Sequence, residues 1–130
     1  MQLSETPWND ELLDAKGFKV FRDGYPVTEG HLLFVPKEQD WQSIVKCWEA
    51  AYKWGYDWIE RGYCDAFNVG QNIGEEAGQT VMYPHVHLIP RRKGDMTDPK
   101  GGVRGVIPNM QKYKIKNPNQ PDLFLEGDCV

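Results

Sequence analysis

Two of the chain's three histidines stand two residues apart in Tyr83-Pro84-His85-Val86-His87-Leu88-Ile89-Pro90-Arg91. In an extended strand alternate side chains share a face, so this spacing sets Tyr83, His85 and His87 on one side and Val86 and Leu88 on the other. Imidazole titrates near neutrality, with an ordinary pKa of about 6.5, and serves as nucleophile, acid, base or metal ligand. Two imidazoles on one strand face suit either transfer of a group to a ring nitrogen or coordination of a metal. The third histidine, His31, and Asp23 beside Gly24 have simpler readings when taken singly, as a hydrogen-bonded structural histidine and a turn former.

The segment before the histidines runs Asn72-Ile73-Gly74-Glu75-Glu76-Ala77-Gly78-Gln79-Thr80. Glycines let backbone N–H groups approach an anion closely, and Asn72, Gln79 and Thr80 add neutral donors for phosphate oxygens. The segment after them is basic: residues 91–116 carry 8 Lys/Arg against 2 Asp/Glu, whereas residues 1–90 carry 7 against 14. A local positive patch on an acidic protein focuses potential on an anionic ligand. A sequence pI of about 5.3 argues against broad nucleic-acid binding.

These residues need elements to hold them. Thr6-Pro7-Trp8-Asn9-Asp10-Glu11 has the form of a helix start, with Thr6 as N-cap and Pro7 at the first position, which predicts a short helix ending before Gly17. Phe18–Arg22 and His31–Val35 read as strands joined through Asp23-Gly24-Tyr25-Pro26. From Asp40, an N-cap by its residue type and position, the apolar residues Trp41, Ile44, Val45, Trp48, Ala51, Tyr52, Gly55, Trp58 and Ile59 recur at helical spacing for about 20 residues. Trp41, Trp48 and Trp58 are read as core against a sheet. Ala66–Gly70 is a third strand and the histidine segment a fourth. Two strands, a long helix and two more strands, with no repeated βαβ unit, predict an α+β fold with a mainly antiparallel five-stranded sheet, one long helix and one short one.

At 130 residues the chain fits a single domain, with a core at about 18–108 and a C-terminal extension at 109–130. No apolar run approaches a membrane span, and no basic-then-apolar leader opens the chain, so a cytoplasmic setting without membrane contact is expected. Cys47, Cys64 and Cys129 form no C-x-x-C pair and are read as buried or incidental thiols.

Gly78-Gln79-Thr80-Val81 followed by Pro84-His85-Val86-His87-Leu88-Ile89 resembles the mark of the histidine triad (HIT) superfamily of nucleotide hydrolases and transferases, His-φ-His-φ-His-φ-φ preceded by Gly-Gln-[Ser/Thr]-Val. Phe21-Arg22-Asp23-Gly24-Tyr25-Pro26 and Gly30-His31 look like the family's ribose-binding turn and Gly-His strand. Arg92-Lys93-Gly94-Asp95 and Gly101–Pro108 look like a bacterial diadenosine tetraphosphate hydrolase-like branch. The resemblance implies that His85 is the nucleophile, that His87 contacts phosphate and assists the leaving group, and that His31 supports them. Thr80, with Asn72 and Gln79, holds the phosphate oxygens during transfer. Asp23 takes the ribose hydroxyls, Phe21 with Phe18 and Leu33 lines an apolar base pocket, and Lys93 and Arg104 reach distal phosphates. Tyr83 falls where the first triad histidine belongs, as a nucleotide contact that cannot reproduce imidazole chemistry. The resemblance also implies a homodimer, a purine nucleotide or dinucleoside polyphosphate as ligand, and no tightly bound cofactor or metal beyond a divalent cation accompanying the polyphosphate. Two rivals stand beside it: a nucleotide-binding module with weakened catalysis, and a metal hydrolase using His31, His85 and His87.

Overall fold

A computed structural model describes residues 1–112. The chain divides into two compact units, Met1–Asp95 and one from Met96 onward. Of the expected extension at 109–130, only the first four residues fall within the described part, and Cys129 lies outside it.

The first unit holds five strands, β1 (Glu11–Asp14), β2 (Phe18–Arg22), β3 (Leu32–Pro36), β4 (Ala66–Gly70) and β5 (Val86–Arg91), with one helix, α1 (Trp41–Glu60). They form a single sheet in the order β1-β2-β3-β5-β4, antiparallel at every pairing. The α+β antiparallel five-stranded fold expected from the sequence is therefore the fold observed. The short helix is not. Glu11–Asp14 instead pairs with β2 in the register Leu13↔Val20, and the cap-like Thr6 donates its hydroxyl to the Leu3 carbonyl in a 3-10 turn at Leu3–Glu5. The local Thr-Pro signal was overridden by an open sheet edge.

Helix α1 begins where its sequence predicts: the Asp40 carboxylate accepts from the Ser43 N–H at 2.8 Å. Its inner face is Cys47, Ala51 and Gly55, with Trp54 and Trp58 alongside, packed on Val20, Leu32, Phe34, Val86 and Leu88. Fully burying a side chain of that size stabilises by about 1.5–3 kcal/mol. Gly55 is where the helix closes on the sheet, since a Cβ there would lie 2.6 Å from the Phe67 ring. Trp58 is thus core as expected, but Trp41 and Trp48 are not: they stand 69% and 38% exposed, beside exposed Val45, Tyr52 and Tyr56. Periodicity marks a shared face without telling which face meets the sheet.

The opposite sheet face carries a second cluster, Phe21, Leu33, Val35 and Tyr83, covered by Leu3, Trp8 and Val81 from loops. Alternation explains it. In β3, Leu33 and Val35 point away from α1 while Leu32 and Phe34 point toward it, and His87 lies opposite Leu33 on that same outer face.

The second unit contains 3-10 turns at Gly102–Val106 and Pro108–Met110, joined by the Gln111 carboxamide donating to the Lys100 carbonyl at 3.1 Å.

Candidate active site

The turn between β2 and β3 carries Asp23 and His31 to β5. Thr28 donates its hydroxyl to the Pro90 carbonyl at 2.8 Å, and Arg92 donates to the carbonyls of Glu29 and Tyr63 while its guanidinium lies 4.6 Å from the Tyr63 ring centroid. Gly30 makes the approach possible: its φ is +91°, and a Cβ there would sit 2.5 Å from the Tyr63 hydroxyl. Antiparallel pairing of β3 with β5 then brings His31 against His87.

The hydrogen bonds fix where each proton sits. The Val27 N–H donates to His31 Nδ1 at 3.2 Å, so in neutral His31 the proton is on Nε2. That nitrogen lies 2.9 Å from His87 Nδ1 and donates to it. His87 consequently carries its own proton on Nε2. His85 has the reverse arrangement: its Nδ1–H donates to the Tyr83 carbonyl at 2.8 Å, leaving the lone pair on Nε2. The His85 and His87 rings are 5.1 Å apart. One ring thus offers an electron pair and its neighbour an N–H.

Burial favours the neutral form of His87. It pushes the His87 imidazole down to about 4, helped by the neighbouring His85 and His31 rings. Burial also lowers His31, against the opposing pull of Asp23. Asp23 accepts from the Tyr25 N–H at 2.7 Å through one oxygen, and the other lies 3.4 Å from His31 Nε2.

Other sequence candidates are placed less directly. Thr80 is exposed and Asn72 half-buried at the loop. The Gln79 carboxamide is engaged at both ends with its own loop, accepting from the Gly74 N–H at 2.9 Å and donating to the Val81 carbonyl at 3.0 Å. The Tyr83 phenol is 1% exposed and donates to the Pro36 carbonyl at 2.6 Å, so only its backbone carbonyl reaches the histidines. Phe21 and Leu33 are buried at 5% and 2% exposure, and Phe18 packs on the helix side against Phe34. Of Arg91, Arg92 and Lys93, the first is bound bidentately by Asp95 and the second is used in the turn clamp, which leaves Lys93 as the exposed one of the three. Arg104 is exposed in the second unit.

The three-histidine metal site is not what the fold assembles. The group close enough to share an ion among the described residues is Asp23, His31 and His87, with His85 outside it. That set fits a metal poorly. Ligation through His31 Nε2 would move its proton to Nδ1, against the Val27 N–H that now donates there.

Sequence reasoning missed Trp8. Its indole lies 4.7 Å from the His85 ring, 6.2 Å from Phe21 and 6.4 Å from Tyr83. A tryptophan beside Pro7, outside any strand and outside the periodic helix, was the signal available.

The fold and the paired imidazoles define a histidine-triad domain, and the chain belongs to the HIT domain family, whose pattern matches residues 9–94. It is 32% identical over 81 residues to a bis(5'-nucleosyl)-tetraphosphatase (asymmetrical) of Schizosaccharomyces pombe, covering 56% of this chain and 44% of that protein. It is 33% identical over 113 residues to an adenosine 5'-monophosphoramidase of Saccharomyces cerevisiae, covering 77% and 61%. The chain spans about half the length of the curated relatives it matches. Its fold resembles that of a zinc-bound histidine triad family protein from Mycobacterium smegmatis, with 25% identity, a TM-score of 0.64 and 73% of each chain covered.

Proposed function

We propose that this chain is a cytoplasmic nucleotide hydrolase or transferase of a bacterial diadenosine tetraphosphate hydrolase-like branch, acting at the α-phosphate of a dinucleoside polyphosphate or nucleoside phosphoramidate. The carrying observation is that His85 Nδ1 is held by the Tyr83 carbonyl and His87 Nδ1 by His31, which leaves the Nε2 atoms of both rings for a substrate. The lone pair of His85 Nε2 forms a bond to phosphorus as the bond to the leaving group breaks, while His87 Nε2–H donates a hydrogen bond to the leaving atom; a polyphosphate departs as its anion and an amine takes its proton from water. Nucleotidyl-His85 retains its Nδ1–H on the Tyr83 carbonyl. Water then attacks phosphorus, the N–P electron pair returns to His85, the proton of the attacking water passes to solvent, and a nucleoside monophosphate leaves.

Asn72, Thr80 and loop amides would hold the phosphate oxygens, Asp23 the ribose hydroxyls, and Lys93 the distal phosphates. A divalent cation would enter with a polyphosphate as part of the substrate. Tyr83 stands in the first triad position, and its buried phenol supports a structural role there and an intact nucleophile beside it. The named activities of the relatives support the substrate class.

A homodimer completes the reading. The exposed stripe Trp41, Val45, Trp48, Tyr52 and Tyr56 lies on the helix beside β4, one of the two edges of the sheet, and Trp48 is tied to that side by its indole N–H donating to Gln71 at 3.0 Å. A second copy of the chain, offering the same stripe and edge, would cover both.

Incubation with diadenosine tetraphosphate and with adenosine phosphoramidate tests the activity. AMP is expected from at least one and lost in His85→Ala; no AMP from either, or equal release by the variant, would overturn the proposal.

A further inference from the structure

A nucleotide held with its α-phosphorus at His85 Nε2 and its ribose at Asp23 must lay its base somewhere between or beside them, on a surface of suitable chemistry. The apolar residues that the sequence offered for this are out of reach: Phe21 is 5% exposed, Leu33 is 2% exposed, and Phe18 belongs to the helix side of the sheet. What covers Phe21 on the histidine face is the indole of Trp8.

Its position satisfies both ends of the ligand. Trp8 lies 4.7 Å from the His85 ring. The segment that carries it is tied beside Asp23, since the Arg22 N–H donates to the Asp10 carbonyl at 2.9 Å and the Arg22 guanidinium to the Asp10 carboxylate at 3.1 Å. Farther back the segment is anchored by Leu3, packed in the same cluster, and by the Glu5 carboxylate accepting from the Gln2 N–H at 2.8 Å. Trp8 is half-buried beside Phe21 and Tyr83, so part of the side chain reaches solvent. It also lies just before the stretch that matches the family pattern, residues 9–94.

We infer that Trp8 is the residue on which the nucleobase stacks, an inference that rests on the nucleotide reading above. An indole face recognises area and polarisability and reads no hydrogen-bond pattern, so it favours the larger purines and separates adenine from guanine weakly. It also gives the base an anchor that a phosphate loop does not.

The test uses Trp8→Leu and Trp8→Phe, with AMP and CMP as binding probes on a His85→Ala background and adenosine phosphoramidate as substrate for the parent and for the Trp8 variants. Trp8→Leu should weaken AMP binding on the order of 10-fold or more, narrow the AMP-over-CMP preference, and raise KM more than it lowers kcat, while Trp8→Phe restores most of each. AMP should also quench a component of tryptophan fluorescence that Trp8→Phe lacks, which decides the matter if Trp8→Leu does not fold. Unchanged AMP affinity in Trp8→Leu, or the same quenching in Trp8→Phe as in the parent, overturns the inference. Because binding is read on His85→Ala, the two readings fail separately: Trp8-dependent AMP binding without turnover sinks the hydrolase alone, and turnover with Trp8-independent binding sinks the stacking role alone.

Discussion

His31 Nε2 lies 2.9 Å from His87 Nδ1, and the Val27 N–H behind it sets the direction of that hydrogen bond. A backbone amide in a turn thereby determines which nitrogen of His87, two hydrogen bonds away, carries the proton offered to a ligand. Removing the relay should matter more for rate than for binding. His31→Ala frees His87 to adopt the other tautomer, and by analogy with the loss of partners that orient a functional imidazole we expect kcat to fall about 10- to 100-fold. Steady-state kinetics beside AMP affinity would check it: a rise in Kd with kcat preserved would contradict the relay.

Acid should loosen the fold through the same pair. Folded His87 resists protonation down to about 4, and His31 is shifted the same way, whereas the unfolded chain protonates both near 6.5. The unfolded state therefore binds more protons between those values, and stability must fall as pH drops through that window and level off below it. For His87 the loss is on the order of a few kcal/mol. Urea denaturation at pH 7 and pH 5 should show it, with a smaller difference in His87→Asn.

Tyr83→Phe separates a phenol from a carbonyl. The hydroxyl is spent on the Pro36 carbonyl, while the backbone oxygen orients His85. The variant should lose about 1–3 kcal/mol of stability, as expected for a buried hydrogen bond whose partner is left behind, yet retain turnover within a few-fold. Collapse of kcat with unchanged stability would show that the phenol takes part in the chemistry.

Gly30→Ala should damage both stability and rate. Its φ of +91° strains any side chain, and the added methyl meets the Tyr63 hydroxyl. The turn that carries Asp23 and His31 must then shift from β5. We expect about 1–3 kcal/mol of destabilisation and a drop in kcat, read by thermal melting and kinetics together.

How much of this was legible follows from which signals are local. Helix α1 was readable because Asp40 caps it and a three-to-four-residue period runs for five turns, but choosing its buried side required knowing that Gly55 and Ala51, the small residues, meet Phe67 and the sheet. The strand after His31 was readable as an apolar run between turn residues and Pro36, and that around His87 from alternation. The first half of the histidine run was not, because Pro84 interrupts it and β5 begins only at Val86, with the Tyr83 carbonyl turned to His85. The N-terminal segment misled in two ways: a cap motif hid a strand whose only reason to exist is the edge of β2, and it drew attention from Trp8. The basic run after β5 looked available to an anion, yet Arg91 and Arg92 are bound by Asp95 and by turn carbonyls, partners that no spacing rule identifies.

The account turns on His85 Nε2 as the atom that bonds to phosphorus. Intact-mass analysis of enzyme quenched under non-acidic denaturing conditions, after brief mixing with adenosine phosphoramidate, tests that most directly. The expected result is one adenylyl group on the protein, localised to His85 by fragmentation and absent from His85→Ala. Turnover with no adduct on any time scale resolved, or an adduct on another residue in the active parent enzyme, would contradict it.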